Sequence, residues 1–238
     1  MATLTVPAPK PRFTTPLLHP GDRMNAAEFE ARYTAMPYLK KAELLDGVVY
    51  MPSPVSLQHH GEPHAEIVGW LTYYMALSRG VRVGDNTTLR LGDTNQPQPD
   101  ALLMIPTAAG GQATIMGDGF ISGAPELAFE VAYTSQSYDL GVKKDVYAEF
   151  GVKEYLVWQV QIEAFEWFVL RDGEYVSKDP DADNIFRSET FPGLWLDWQA
   201  LLTGNLARVF AVLQLGAATP EHLAFVERLK TSTESKAT

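Results

Sequence analysis

Apolar and polar positions along this chain follow two rhythms, one helical and one alternating, and the switches between them mark out the elements. "AAEFEARYTAM" (26–36) has helical spacing behind Asn25, a favourable cap. "KAELLDGVVYMPSP" sets two apolar runs on either side of Asp46-Gly47, a strong two-residue hairpin signal. A long helix is expected within "LQHHGEPHAEIVGWLTYYMALSRG" (57–80), with Pro63 in its first turn and Gly80 at its end. Short strands follow at "VRVG", "NTTLRLG" and "PDALLMI". The Gly-rich "PTAAGGQATIMGDGFISGAP" (106–125) reads as a flexible loop bordering a site. "SYDLGVKKDVYAEFG" (137–151) reads as one helix with Val142, Val146 and Phe150 on one face. "KEYLVWQV", "AFEWFVLRDG" and "EYVSK" read as antiparallel strands, and the aromatic then helical tail as a cap on the sheet. Residues 1–23, rich in Pro and Thr, read as an arm that is mobile or laid along the surface. Residues 24–238 read as a single α/β domain ending in a helical extension, with no internal repeat.

One strand breaks its own pattern. In "PELAFEVAY" (125–133), Leu127, Phe129, Val131 and Tyr133 share a face, while Ala128, Glu130 and Ala132 share the other. An unpaired ionised carboxylate there costs several kcal/mol, on the order of a domain's whole stability margin. Glu130 therefore needs a cation, a hydrogen-bonded partner or a raised pKa. A neighbouring Arg or Lys, or a wet sheet face, would satisfy it without any function. Asp100 is a second acid at a strand entrance, directly after Pro99, where turn chemistry is the ordinary reason for an Asp. Lys143 follows thirteen residues after Glu130. Two carboxylates and a lysine around one sheet suit a divalent cation and a phosphate: hard oxygens hold Mg²⁺, and the lysine adds positive charge.

Composition narrows the classes. Hydrophobic residues make up 46% of the 238 and charged residues 20%, an ordinary globular balance. No apolar run approaches the roughly 20 residues of a membrane span. The N-terminus lacks a signal-type apolar core, so a cytoplasmic protein with no membrane partner is expected. The absence of cysteine removes disulfides and thiolate ligands. A formal charge of −10 argues against broad electrostatic attachment to nucleic acid, although not against a local basic groove.

Four segments in order, "ELLDG" (43–47), "PDALLMI", "ELAFEVAYTSQSYDLGVKKDVYAEF" and "GVKEYLVW", resemble the Uma2 family, bacterial proteins of the restriction-endonuclease-like superfamily with the PD-(D/E)XK signature. The resemblance runs over roughly residues 25–200. It implies a restriction-endonuclease-like core, a mixed central β-sheet flanked by helices, with extra antiparallel strands and C-terminal helices. It implies a nuclease using Mg²⁺, with Mn²⁺ as a substitute, acting on nucleic acid, and a homodimer by superfamily habit. Asp100 matches the metal-binding Asp and Glu130 the second acid, with Val131 completing the metal set. The signature lysine two positions after that acid is missing, since Ala132 stands there. A family pattern on the next helix, Asp139-Leu140-Gly141-Val142-Lys143 to Tyr147, instead offers Lys143, ahead of its neighbour Lys144. Glu43 matches an early acid that adds a metal contact or orients a water. The family's Ser-Pro-Ser after the second acid is replaced by "YTS" (133–135).

His60 and His64 form an i, i+4 pair, but Gly61 stands where a zinc-protease helix carries Glu. With His59 they read as helix-surface or capping residues, or as groups at a helix start that face a phosphate. Gln58 is a weaker candidate of the same kind. Trp158, Trp167, Trp195 and Trp198 read as core in preference to base-stacking platforms. The pairs at 40–41 and 143–144 are the only adjacent lysines, so no basic track exists. Besides a nuclease, the sequence admits a non-catalytic binding module on the same fold, and an oligomeric scaffold, for which buried acids would be hard to explain.

Overall fold

The computed structural model describes residues 15–52 and 56–234, so most of the expected arm, residues 53–55 of the hairpin segment and the last four residues lie outside it. In chain order come helix α1 (Ala26–Thr34), hairpin β1 (Glu43–Leu45) and β2 (Val48–Tyr50), helix α2 (Glu62–Leu77), and strands β3 (Arg82–Asp85), β4 (Leu89–Arg90) and β5 (Ala101–Met104). Strands β6 (Thr114–Ile115), β7 (Ile121–Ser122) and β8 (Leu127–Ala132) precede helices α3 (Gln136–Asp139) and α4 (Val142–Glu149). Strands β9 (Glu154–Gln159), β10 (Ala164–Arg171), β11 (Glu174–Ser177), β12 (Ile185–Arg187) and β13 (Trp195–Asp197) lead to helices α5 (Trp198–Leu202), α6 (Leu206–Ala217) and α7 (Pro220–Glu234).

The central sheet has the order β11-β10-β9-β8-β5-β3. Strands β8 and β9 are parallel, joined by the α3–α4 crossover, and every other pairing in this sheet is antiparallel. Alternation sorts the side chains into two cores. Leu127, Phe129 and Val131 enter the larger one, with Leu156, Trp158 and Trp167, under α2, α6 and α7. Ala128 and Ala132 enter the other, with Val146, Tyr147 and Tyr155, under α4. The face division expected for β8 holds, except that the strand ends at Ala132 and Tyr133 instead stacks on His59 at 4.1 Å.

Local signals account for the elements that carry the site. Asn25 caps α1 by accepting from Glu28 N, and Asp46 and Gly47 both have positive φ (49° and 71°), as a tight hairpin turn requires. The start of α2 is widened into a π-helical turn, Leu57–Gly61, in which Gly61 N bonds Ser56 O at 3.1 Å. Residues 15–23 run along the hairpin: Leu18 is buried beside Met36, and Gly21 N donates to Val49 O at 2.8 Å. Among the described residues, no single helix is long and apolar enough to cross a membrane.

Two expectations are corrected. The single helix over 137–151 is broken into α3 and α4 at Gly141, where the chain turns so tightly that an added Cβ would lie 2.5 Å from Ser137 O. The Gly-rich segment does not border the acids. It leaves the opposite end of β5 and folds with β4 into a small three-stranded sheet, its entry tied by Gln112 N to Glu126 Oε1 at 3.0 Å.

Gly141→Ala is expected to cost about 1–3 kcal/mol, because main chain must shift to admit the methyl group. Gly69→Ala, within α2 and with nothing within 4 Å of the added carbon, is expected to gain about 0.5–1 kcal/mol. Urea denaturation of both variants checks the pair.

Candidate active site

Strand register sets the two acids side by side. Ala101 pairs with Phe129 across the antiparallel β5–β8 ladder, so Asp100 stands opposite Glu130 on the same sheet face. Where the β5 main chain stops, the Asp100 side chain continues the ladder: its Oδ2 accepts from Val131 N at 2.9 Å. The Val131 side chain goes to the larger core, so only its main chain faces this space. Glu43 arrives on β1, which is docked against the segment leading to β5 through Gln96 N to Leu44 O at 2.7 Å and Gln98 N to Glu43 Oε1 at 2.6 Å. The turn at Gly141 aims the first turn of α4 at the sheet and delivers Lys143.

An inner group forms around Lys143, whose side chain is only 4% exposed. Its Nζ lies 2.9 Å from Glu130 Oε1, 3.1 Å from Glu43 Oε1 and 3.5 Å from Asp139 Oδ1. Tyr147 OH donates to Glu130 Oε1 at 3.1 Å, and Tyr155 OH to the Asp139 carbonyl at 2.9 Å. An outer group surrounds Asp100. Lys41 Nζ is 2.9 Å from Asp100 Oδ1 and 3.1 Å from Asn86 Oδ1, and His60 Nε2 is 3.9 Å from Asp100 Oδ1. His64 Nε2 lies 2.9 Å from the Asp100 carbonyl oxygen and 3.0 Å from Asp85 Oδ1.

The two acids sit in opposite electrostatic states. For Asp100, burial pushes the pKa up, but Lys41, Lys143, His60 and the Val131 N–H outweigh it and hold the carboxyl below its ordinary value. For Glu130, burial dominates, and Asp100, Asp139 and Glu43 add to it against Lys143, so its pKa stands well above the ordinary value. Burial also raises Asp139. Burial pulls both lysines down, yet the facing carboxylates win and hold Lys41 and Lys143 above the ordinary lysine value. Four enclosed carboxylates thus face two ammonium groups, so lysine can match only two of them, and the pKa values of Glu130 and Asp139 are pushed up.

With this geometry in view, comparison with known proteins is informative. Residues 26–199 match Uma2, a family described as "Putative restriction endonuclease". The chain belongs to the Uma2 family. Its fold is also similar to the crystal structure of a "putative nuclease belonging to DUF820" from Anabaena variabilis, with a TM-score of 0.57 and 16% identity over 73% of this chain and 96% of that one. No curated protein matches the chain. The Uma2 match spans the hairpin, both acid-bearing strands and α4, and stops in α5, so α6 and α7 lie beyond it.

The structure brings together Glu43, Asp100, Glu130 and Lys143, and adds residues that sequence reasoning did not select. Asp139 and Tyr147 lay inside the Uma2 helix motif without an assigned role. Lys41 was noted only as half of a lysine pair; its place two residues before Glu43 was the available signal. Lys144 points elsewhere, over the Phe168 ring at 3.7 Å. Ser56 caps the π-helical turn by accepting from His59 N, while His60 and His64 stack on each other and reach Asp100. Trp158 and Trp167 are core, and Trp195 and Trp198 are half-buried. From His64 and Asp85 an open groove of about 590 Å³ runs along α2 past Val68, Thr72 and Tyr73, away from the acids.

Buried acids elsewhere in this Uma2 chain need no such arrangement. Glu154 accepts from Trp167 Nε1, Ser188 Oγ and the main-chain N–H groups of Glu189 and Thr190. Glu126 accepts from Ile105 N and Gln112 N. Neutral donors hydrogen-bond both, with Lys153 Nζ standing 3.8 Å from Glu126 Oε1, whereas lysines lie closer to the site acids, at 2.9 to 3.5 Å.

Lys143→Met is therefore expected to cost about 3–5 kcal/mol at neutral pH, because three enclosed carboxylates lose their shared cation. The loss should shrink at mildly acidic pH. Glu130 and Asp139, already raised in pKa, take up protons in the folded state before the unfolded chain does, and the uncompensated charge disappears. Denaturant melts of parent and variant at the two pH values measure this.

Proposed function

We propose that this Uma2 protein hydrolyses phosphodiester bonds of nucleic acid with a divalent cation, Mg²⁺ or in its place Mn²⁺, held by Asp100 and Glu130 with the main chain at Val131. The observation that carries the reading is the enclosure of four carboxylates with only two lysines, in contrast to Glu154, which neutral donors satisfy. The donor chemistry fits such an ion: carboxylate oxygens are hard ligands. In an extended strand a residue's N–H and C=O point the same way, so the Val131 carbonyl faces the side on which its N–H meets Asp100.

A bound Mg²⁺ supplies Lewis acidity and positive charge at a phosphodiester. The chain's own residues supply position and protonation state. Asp100, held ionised, is the standing negative ligand. Glu130 ionises fully only when more positive charge arrives, so ligand binding and deprotonation are coupled. Lys143 and Tyr147 hold Glu130 through Oε1, and Lys143 and Gln98 hold Glu43. Glu43 thereby stays poised to orient a water. His60, beside Asp100, borders the position a phosphate would take.

A second reading, a non-catalytic ligand- or protein-binding module, draws support from one feature. Among the described residues no three acidic or histidine side chains converge on a common metal position, and each acid already meets a lysine.

Cleavage of plasmid and single-stranded substrates with Mg²⁺ or Mn²⁺ separates the readings. The parent should cleave, chelator should stop it, and Asp100→Asn or Glu130→Gln should lower the rate by roughly 10²-fold or more. Metal binding without cleavage would favour the binding module. The same variants give a measurement independent of activity. Mg²⁺ at about 100 times its Kd should stabilise the parent by roughly 2.7 kcal/mol, and neither variant by as much. Without metal, Glu130→Gln should melt above the parent at neutral pH, since its raised pKa means the fold disfavours the charged form.

A further inference from the structure

We infer that Lys41, and not Lys143, is the lysine that contacts the substrate phosphate, with Lys143 acting as a positioning residue; this rests on the nuclease reading above. Donor capacity separates the two lysines. A lysine ammonium has three N–H donors. Around Lys143 Nζ stand three carboxylates, Glu130 at 2.9 Å, Glu43 at 3.1 Å and Asp139 at 3.5 Å, so its charge is already shared among three acids inside the fold. Lys41 Nζ meets two acceptors, Asp100 Oδ1 at 2.9 Å and Asn86 Oδ1 at 3.1 Å, which leaves a donor for an incoming oxygen.

Access separates them as well. The Lys143 side chain is 4% exposed and its three partners are all buried, whereas the Lys41 side chain is 20% exposed. Lys41 shares the outer layer with Asn86, His60 and His64, the layer a polyanion reaches first. Their attachments differ too. Lys41 approaches Asp100 on the side opposite the Val131 N–H, which takes Oδ2, so it can lean from the carboxylate toward a phosphate without breaking the β5–β8 junction. Lys143 has no such freedom, because moving it strips the cation from Glu130 and Glu43 together.

The missing signature lysine after Glu130 is thus compensated by two lysines with divided roles. One keeps the acids in place from beneath, and the other meets the substrate from the rim.

The test is equilibrium binding of a short fluorescent DNA duplex to the full chain, with Ca²⁺ in place of Mg²⁺, over a range of salt concentrations. Lys41→Gln should lower the slope of log K against log salt by about 0.9, the loss of one phosphate contact. Lys143→Met should keep the parental slope. Single-turnover cleavage should fall in Lys41→Gln and recover in part in Lys41→Arg, which restores the charge. A parental slope in Lys41→Gln, or a slope reduced instead in Lys143→Met, overturns the assignment. If the parent cleaves while the Lys41→Gln slope is unchanged, the assignment fails and the nuclease reading stands. A parent that binds no nucleic acid overturns both. Should Lys143→Met not fold, the Lys41→Gln slope alone decides.

Discussion

An ammonium group enclosed with three carboxylates, Lys143 among Glu43, Glu130 and Asp139, is the constraint on which the site depends. Each acid arrives on a different element: β1, β8 and the end of α3. Their mutual repulsion in a poorly solvated space is bearable only while the lysine lies between them. The single contact point therefore fixes where the hairpin docks, how far α4 advances over the sheet, and which oxygen of Glu130 faces inward.

Acid satisfaction divides this protein into two chemistries. Glu126 and Glu154 are buried more completely than any site acid, yet both accept hydrogen bonds from neutral groups, with Lys153 3.8 Å from Glu126. Such acids are mortar, tying the Gly-rich segment and the 188–190 turn to the sheet. The site acids rely on close lysines where Glu126 and Glu154 rely mainly on neutral donors, and four carboxylates there share two lysines. That mismatch is a stability cost the fold carries, and the nuclease reading explains why it is kept. Asp100 and Glu130, one held ionised and one held back, form an asymmetric pair whose difference comes from their neighbours: Lys41, His60 and the Val131 N–H beside Asp100, and further acids around Glu130.

Membership in Uma2 and the likeness to the Anabaena structure agree with the layered fold, a mixed six-stranded sheet between helices. The helices α6 and α7 lie outside the family match but inside the core: Val209, Leu213, Phe225 and Leu229 complete the larger cluster over the sheet. They are structural roofing for the face opposite the acids.

By itself the sequence determined what depends on short-range chemistry. The alternation through β8, the Asn25 cap, the Asp46-Gly47 turn and the incongruity of Glu130 are all properties of neighbours in the chain, where period and turn residues speak directly. Family-level spacing added Asp100, Glu43 and Lys143 as residues to watch, and the structure gathers them in one place. Tertiary structure alone decided the rest. The break at Gly141 is set by a carbonyl four residues earlier that only a folded turn brings close. The Gly-rich segment leaves the site because β5 runs away from Asp100, a direction no composition encodes. Lys41 reaches Asp100 because a hairpin docks on a loop about fifty residues further along, and the partner of a charged side chain is chosen by that docking and not by its neighbours in sequence. Long-range pairing follows from which buried charges must be matched, a sum taken over the whole fold.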